Sequence, residues 1–181
     1  GARLKPEIKA VFLDRDGTIN INEPEYTHKK EDFKLFPETI PALKKLSKTD
    51  YKIIIITNQS GIARGYYTES QMKKLHKWMV QDFKKKGIRI DGIYYCPHGP
   101  DDNCFCKKPK PGMLLKAGED FGLNLSKSWI IGDGSRDIIA GREVNVKTIK
   151  IGGKIDKKHK IEPHYYAKNI LEAVNIIISA K

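Results

Sequence analysis

Cysteine and long apolar runs are scarce in this sequence of 181 residues, and each shortage excludes a class of protein. The three cysteines all lie between positions 96 and 106, and an odd number in one short segment argues against a disulfide framework. No apolar run approaches the length of a bilayer-spanning helix, and no secretory signal is recognisable. We therefore expect a cytoplasmic protein without a membrane-spanning segment.

Acidic residues are also in the minority, with 22 Asp+Glu against 34 Lys+Arg and a net charge of +12. A clustered excess of this size would indicate a nucleic-acid partner. Here the lysines are scattered, and the aromatic residues form separate pairs instead of a stripe interleaved with cations. We interpret the charge as a solvated surface whose positive field attracts a small anionic substrate.

Apolar strand-like runs alternate with helical patterns along the whole chain, which predicts an α/β fold. The expected architecture is a Rossmann-like parallel sheet with helices on both faces, in one domain over residues 1–181. Helices are predicted over residues 38–47, 68–87 and 111–122, after position 133, and at the C-terminus. The polar segment 19–37 lacks periodicity and is predicted to form a loop or small flap over the functional edge.

Two carboxylates follow the first apolar run at positions 10–13, namely Asp14 and Asp16, and Gly17 comes next. Ligands bind at the carboxyl ends of strands in open α/β sheets, so an acidic pair here can serve as nucleophile or metal ligand and as acid–base group. A polar turn and a fragment of a calcium loop are the alternatives for this short pattern. The later ligands of a calcium loop are missing.

Three further elements follow in order: a run ending in Thr57, the basic pair before Pro109, and a run ending in Asp133. Together with the acidic pair, they resemble the four motifs of the haloacid dehalogenase superfamily of phosphotransferases, over residues 9–151. The resemblance implies an aspartyl-phosphate mechanism in a phosphatase, with Mg²⁺ as cofactor. It assigns catalytic roles to Asp14, Asp16, Thr57 and Lys108, and magnesium ligation to Asp14, Asp133 and the backbone carbonyl of Asp16.

Asp137 stays ambiguous at this point, because it can orient Lys108, support the metal ligands, or face solvent.

A second metal site is predicted from Cys96, His98, Cys104 and Cys106, which offer three thiols and one imidazole. This set suits tetrahedral Zn²⁺, and four protein ligands leave no open position for water. We expect a structural zinc that pins a loop unable to fold alone. Lys108 lies two residues after the last cysteine, so the metal would help to place it.

Three segments resemble the heptose-bisphosphate phosphatases of that superfamily, which act in ADP-heptose synthesis. They are residues 57–65, the loop 96–106 that carries the four predicted zinc ligands (the zinc loop), and residues 108–113. This narrower resemblance implies a minimal cap and removal of the 7-phosphate from D-glycero-D-manno-heptose 1,7-bisphosphate. Separately, no helix pattern shows an exposed apolar face that demands a partner, so we expect a monomer. It places the sugar and its remote phosphate against Asn22, Glu23, Pro24, Glu25, Asn58, Gln59, Ser60 and Lys107. The chain departs from that family at Lys107, where arginine is usual, and at Gly134, where lysine is frequent.

Three other functions remain open at the level of sequence. Histidinol-phosphate phosphatases share the zinc spacing, and DNA 3′-phosphatases share the Thr-Asn-Gln pattern of the second motif. A zinc-bearing nucleic-acid-binding module is the non-enzymatic alternative, but it leaves the three carboxylates Asp14, Asp16 and Asp133 without a role.

Overall fold

The computed structural model describes residues 7–180. The domain predicted for residues 1–181 thus extends at both ends beyond the described residues. Within residues 7–180, six parallel strands form a single sheet in the order β3-β2-β1-β4-β5-β6. The strands are β1 Ala10–Leu13, β2 Lys52–Asn58, β3 Gly92–Cys96, β4 Trp129–Gly132, β5 Lys147–Ile151 and β6 Tyr165–Ala167. The predicted parallel sheet is confirmed.

Five α-helices connect or follow the strands in the described part of the chain, at the places that the periodicity predicted. They are α1 Thr39–Ser47, α2 Glu69–Lys85, α3 Gly112–Phe121, α4 Ser135–Glu143 and α5 Ile170–Ser179. The start of α2 is set by Thr68, whose hydroxyl accepts from the backbone of Gln71 while the Gln71 side chain accepts from the backbone of Thr68. None of the helices in residues 7–180 is long and apolar enough to cross a membrane.

The sheet is covered on both faces, because alternate residues of each strand point to opposite sides. On one face Val11 and Leu13 of β1 pack in a core with α1, α2 and α5. On the other face Ala10 and Phe12 pack with α3 and α4. Strand β1 is therefore buried on both sides, as its unbroken apolar run predicted.

The strand order places a crevice at the carboxyl ends of β1 and β4. The chain moves outward from β1 to β3 on one side and from β4 to β6 on the other, so β1 and β4 meet where the direction of winding reverses. Ligands bind at such a switch point in open α/β sheets. Asp14 follows β1 and Asp133 follows β4, so both carboxylates are delivered to this crevice.

Candidate active site

A cleft of about 340 Å³ lies at this crevice, covered in part by the predicted flap 19–37. Its lining contains Asp14, Asp16, Asn22, Glu25, Asn58, Gln59, Ser60, Lys107, Lys108 and Asp133, all of which the sequence placed in a site. Thr57 is buried at the end of β2, next to the lining. Glu23 and Pro24, predicted to touch substrate, are exposed and lie outside the lining.

Lys108 is buried between two carboxylates at the floor of the cleft. Its Nζ lies 2.9 Å from Asp14 Oδ1, 2.7 Å from Asp137 Oδ1 and 2.9 Å from the carbonyl oxygen of Ile56. An ammonium group has three donors, and these contacts use all of them. Lys108 therefore holds the Asp14 carboxylate in place and contributes a fixed positive charge to the cleft.

Asp137 does not face solvent, which removes one of the three roles that the sequence left open for it. Its side chain is fully buried and accepts a hydrogen bond from Lys108 and one from the backbone N–H of Gly134. Burial and the nearby Asp14 charge raise the pKa of Asp137, against the lowering effect of Lys108. The Asp137 carboxylate thus holds Lys108 in place together with Asp14.

Three carboxylates crowd together at the carboxyl edge of β1 and β4. The nearest carboxylate oxygens of Asp14, Asp133 and Asp137 all lie within 4.8 Å of one another. Burial, and then the charges of Asp14 and Asp137, raise the pKa of Asp133 to about 7. Since one buried ammonium cannot balance three carboxylates, the cluster has the electrostatic character of a divalent-cation site.

Two glycines make this crowding possible. Gly17 has a φ of +86°, and a Cβ there would overlap the Asp133 carboxylate. Gly132 ends β4, and a Cβ there would overlap the Asp137 carboxylate. The absence of a side chain at Gly17 lets the first and last acidic segments approach each other, and its absence at Gly132 leaves room for Asp137 beside the end of β4.

Asp16 lies outside the three-carboxylate group and is held by its own set of donors. Its Oδ1 accepts from Arg15 Nε at 3.0 Å, from Arg15 Nη2 at 2.8 Å and from Asn20 Nδ2 at 3.0 Å. Its Oδ2 receives a longer contact of 3.3 Å from Gln59 Nε2. The second oxygen is therefore the more available of the two for a substrate in the cleft.

The side-chain amides of two predicted substrate-binding residues, Gln59 and Asn58, form hydrogen bonds with neighbouring protein groups. Gln59 Nε2 donates to Thr57 Oγ1 at 2.9 Å, and Gln59 Oε1 accepts from the buried Tyr67 hydroxyl. Asn58 Oδ1 accepts from the backbone N–H of Lys108 at 3.0 Å, while its Nδ2 donates to the Lys108 carbonyl at 3.1 Å. Both amides therefore position catalytic candidates as well as lining the cleft.

The four predicted zinc ligands come together beside the cleft. Their ligand atoms lie within 4.8 Å of one another, and Cys96 is the buried member at the end of β3. Cys96 Sγ is 2.8 Å from Cys106 Sγ and 3.7 Å from Cys104 Sγ, longer than a disulfide bond of about 2.05 Å. His98 Nδ1 lies 3.2 Å from Cys106 Sγ. Three free thiols and an imidazole this close together could hold a metal ion, and the donor set is one that zinc sites use.

Four lining residues were not predicted for the site: Tyr26, Arg64, Tyr67 and Arg136. Arg64 belongs to residues 57–65, a segment that already carried the family resemblance. That position was the signal from which Arg64 could have been placed in the site. Arg136 precedes Asp137 on α4, and only the orientation of that helix brings it to the cleft. The polar segment that carries Tyr26 gave no periodicity from which its inward direction could be predicted.

Comparisons with known proteins agree with this geometry. A family profile described as polynucleotide kinase 3 phosphatase matches residues 9–172. The D-glycero-beta-D-manno-heptose-1,7-bisphosphate 7-phosphatase of Pasteurella multocida is 38% identical, covering 96% of this chain and 98% of that protein. The D-glycero-alpha-D-manno-heptose-1,7-bisphosphate 7-phosphatase of Photorhabdus laumondii is 45% identical, covering 77% of this chain and 80% of that protein.

A solved structure shows the same likeness in three dimensions. The D,D-heptose 1,7-bisphosphate phosphatase from B. bronchiseptica, complexed with magnesium and phosphate, superimposes with a TM-score of 0.86 at 25% identity. The match covers 96% of this chain and 100% of that one. The predicted superfamily is thereby confirmed, and the chain belongs to the haloacid dehalogenase phosphatases, in the family that includes the heptose-1,7-bisphosphate 7-phosphatases.

Proposed function

We propose that this phosphatase removes the 7-phosphate of D-glycero-D-manno-heptose 1,7-bisphosphate in the cytoplasm, as a step towards ADP-heptose. The proposal rests on the similarity to the heptose phosphatase of Pasteurella multocida. That alignment covers 96% of this chain and so includes the flap and the zinc loop. A cleft of about 340 Å³ suits a small phosphorylated sugar. The cations Arg64, Lys107 and Arg136 around it offer partners for a second phosphate.

In the proposed mechanism, Asp14 attacks phosphorus to form an aspartyl-phosphate while the sugar alkoxide leaves. Asp14, Asp133 and the backbone carbonyl of Asp16 would hold Mg²⁺, and the bound ion would neutralise charge on the phosphoryl oxygens. Lys108 keeps the attacking carboxylate oriented through its 2.9 Å contact with Asp14 Oδ1. The fixed ammonium also lowers the electrostatic cost of bringing one anion to another.

Asp16 donates a proton to the leaving alkoxide and then takes one from the water that hydrolyses the intermediate. Thr57 Oγ1 already accepts a hydrogen bond from Gln59, so its own hydroxyl proton is free to donate to a phosphoryl oxygen. In-line positioning and donors of this kind account for most of the catalysis in phosphoryl transfer.

A second candidate function is removal of a 3′-phosphate from DNA, favoured by the description of the family profile and by the net charge of +12. Turnover of both anomers of the heptose bisphosphate, of histidinol phosphate and of a 3′-phosphorylated oligonucleotide separates the candidates. The proposal expects the highest kcat/KM for one heptose anomer. A higher value for histidinol phosphate or the oligonucleotide would contradict it.

Lys107 provides a sharper test of the bisphosphate. Lys107 lines the cleft and directly precedes Lys108, the proposed catalytic lysine. If it meets the remote phosphate, Lys107→Ala should lower kcat/KM for the bisphosphate by about ten- to a hundredfold, since charge-assisted contacts contribute about 1.5–3 kcal/mol. The loss should appear in KM, measured by steady-state phosphate release.

A monophosphate is the internal control for this variant, because it offers nothing at the remote position. Lys107→Arg should be tolerated, since a guanidinium supplies two parallel donors to phosphate. Arg136→Ala is a useful comparison, because Arg136 is another cation that lines the cleft, with its side chain beside Gly134. Equal losses on mono- and bisphosphates for Lys107→Ala would count against the bisphosphate and favour histidinol phosphate.

Magnesium should stabilise the protein more at about pH 8 than at about pH 5. Burial and the charges of Asp14 and Asp137 raise the pKa of Asp133 from 3.8 to about 7. At pH values between these two pKa values the metal-free folded state therefore binds more protons than the unfolded state. Its stability therefore falls as pH rises from about 4 to about 7, by on the order of 2–4 kcal/mol.

Thermal unfolding with and without Mg²⁺ at the two pH values measures this difference. Asp133→Asn is the matched variant, because it removes the raised carboxyl and should flatten both the pH dependence and the effect of magnesium. An equal stabilisation by Mg²⁺ at both pH values would show that Asp133 does not carry the effect.

We propose a structural Zn²⁺ at Cys96, His98, Cys104 and Cys106, on the strength of the donor set and its closeness. Metal analysis of freshly purified protein should find about one zinc per chain, retained through mild chelation because a closed thiolate site releases metal slowly. Magnesium alone should then restore activity. Cys104→Ser should lose the zinc and lower the melting temperature. A protein purified without zinc would refute the site.

A further inference from the structure

We propose that Arg15 is a positioning residue, which fixes the acid–base carboxylate Asp16 and ties it to both the flap and helix α2. The inference rests on the acid–base role proposed above for Asp16. The inference goes beyond that role because it names Arg15 as the group that orients the Asp16 carboxylate. Arg15 does not line the cleft, so its effect must pass through the groups that it contacts, Asp16 and the flap.

The Arg15 guanidinium is fully buried and joins three separate parts of the chain. Its Nε and Nη2 both donate to Asp16 Oδ1, at 3.0 and 2.8 Å. Nη2 also donates to the carbonyl oxygen of Thr27 in the flap at 2.7 Å, and Nη1 lies 3.0 Å from His76 Nε2 of α2. A planar guanidinium with its donors in a fixed fork can satisfy this set, whereas a lysine ammonium cannot.

His76 completes the arrangement as a neutral acceptor. Its ring is buried on the core side of α2, and burial together with the positive charge of Arg15 lowers the pKa of His76 to about 3. A neutral ring that accepts at Nε2 carries its proton on Nδ1. Because His76 adds no charge, Asp16 is the acidic side chain that pairs with the buried guanidinium.

The geometry of Asp16 shows why this contact matters for chemistry. The fork of Arg15 and the amide of Asn20 engage Oδ1, and Oδ2 is left with one longer contact from Gln59. Rotation of the carboxylate would break three of these hydrogen bonds. Asp16 is therefore locked with Oδ2 towards the cleft, the orientation that proton transfer to a leaving oxygen requires.

Leaving-group dependence separates this role from a general loss of stability. We expect Arg15→Met to lower kcat for an alkyl phosphate by about ten- to a hundredfold, part of the 10²–10⁴ range of acid–base catalysis. Formation of the phosphoenzyme from p-nitrophenyl phosphate should change by less than about threefold, because p-nitrophenolate leaves without a proton. The slower hydrolysis step should then produce a burst of p-nitrophenolate.

Two milder variants keep the test usable if Arg15→Met folds poorly. Arg15→Lys keeps the charge but loses the fork, and should show an intermediate discrimination between leaving groups. His76→Leu removes the third partner of the guanidinium and should shift the same ratio in the same direction. Arg89→Met is the matched control, because Arg89 also joins a carboxylate, Asp91, and backbone carbonyls, but lies away from the cleft. It should lower the melting temperature without changing the ratio.

The result that overturns the inference is a uniform loss on both substrates in folded Arg15 variants, without a burst, while Asp16→Asn discriminates between leaving groups. If Asp16→Asn itself fails to discriminate, the proposed acid–base role falls as well. A wild-type enzyme that hydrolyses alkyl phosphates but not heptose bisphosphate would refute only the substrate, and the Arg15 comparison would still decide the inference.

Discussion

Replacement of Asp14 by asparagine should reduce phosphatase turnover by about 10⁴-fold or more, as expected when a catalytic nucleophile is removed. An amide cannot attack phosphorus, and no aspartyl-phosphate should be trapped by acid quenching. The folded state should not suffer. Asp14 is one of three crowded carboxylates and helps to raise the pKa of Asp133 and of Asp137. Lys108 keeps Asp137 as its partner at 2.7 Å, and removal of the Asp14 charge relieves repulsion between carboxylates in the metal-free protein, so the melting temperature should stay equal or rise.

Two variants serve as controls for this experiment. Asp16→Asn keeps the nucleophile and should still form a phosphoenzyme from p-nitrophenyl phosphate, although it turns over slowly. Asp82→Asn changes a carboxylate that pairs with Lys86 on the surface of α2 and should behave like the wild type. Near-native turnover in Asp14→Asn, or a phosphoenzyme in that variant, would refute the aspartyl-phosphate mechanism.

Replacement of Lys108 by methionine should damage both activity and stability. Its ammonium is buried between Asp14 and Asp137, at 2.9 and 2.7 Å. Burial alone would lower the pKa of Lys108, but Asp137 and Asp14 more than offset it, so the net pKa is raised. Removing one partner of a buried ion pair costs about 3–5 kcal/mol, because the remaining charge is left uncompensated. Activity should fall alike on every substrate, since in the proposed mechanism Lys108 orients the attacking carboxylate of Asp14.

The stability loss has a pH signature that identifies its cause. Without Lys108 the two carboxylates should bind protons in the folded state, so the variant should regain stability as pH falls. Urea unfolding at about pH 7 and about pH 5 measures this recovery. Adding Asp137→Asn to Lys108→Met removes one buried charge and should restore part of the loss. Lys107→Met is the neighbouring control and should change stability little. Wild-type stability for Lys108→Met at neutral pH would contradict the ion-pair account.

Much of the fold could be predicted because it depends on local patterns. Strand β1 is a short apolar run with both faces buried, and α2 begins where Thr68 and Gln71 form a capping box. Both signals are contained in a few adjacent residues. The order of the strands across the sheet could not be predicted in the same way, since it depends on contacts between segments far apart in the chain.

Sequence alone determined the kind of chemistry at this site. Asp14, Asp16, Thr57, Lys108 and Asp133 each follow or lie close to a recognisable element, and parallel strands bring their carboxyl ends to one edge. The spacing of three cysteines and one histidine likewise predicted a cluster that the fold brings together.

Only the tertiary structure decided which polar side chains contact one another. It buried Asp137 against Lys108, directed Arg136 to the cleft and joined Arg15 to Thr27 and His76. These contacts connect residues from different elements, and their strength depends on burial, which raises the cost of an unpaired charge. A linear pattern records which groups are present, but packing decides which of them lose water and must find a partner.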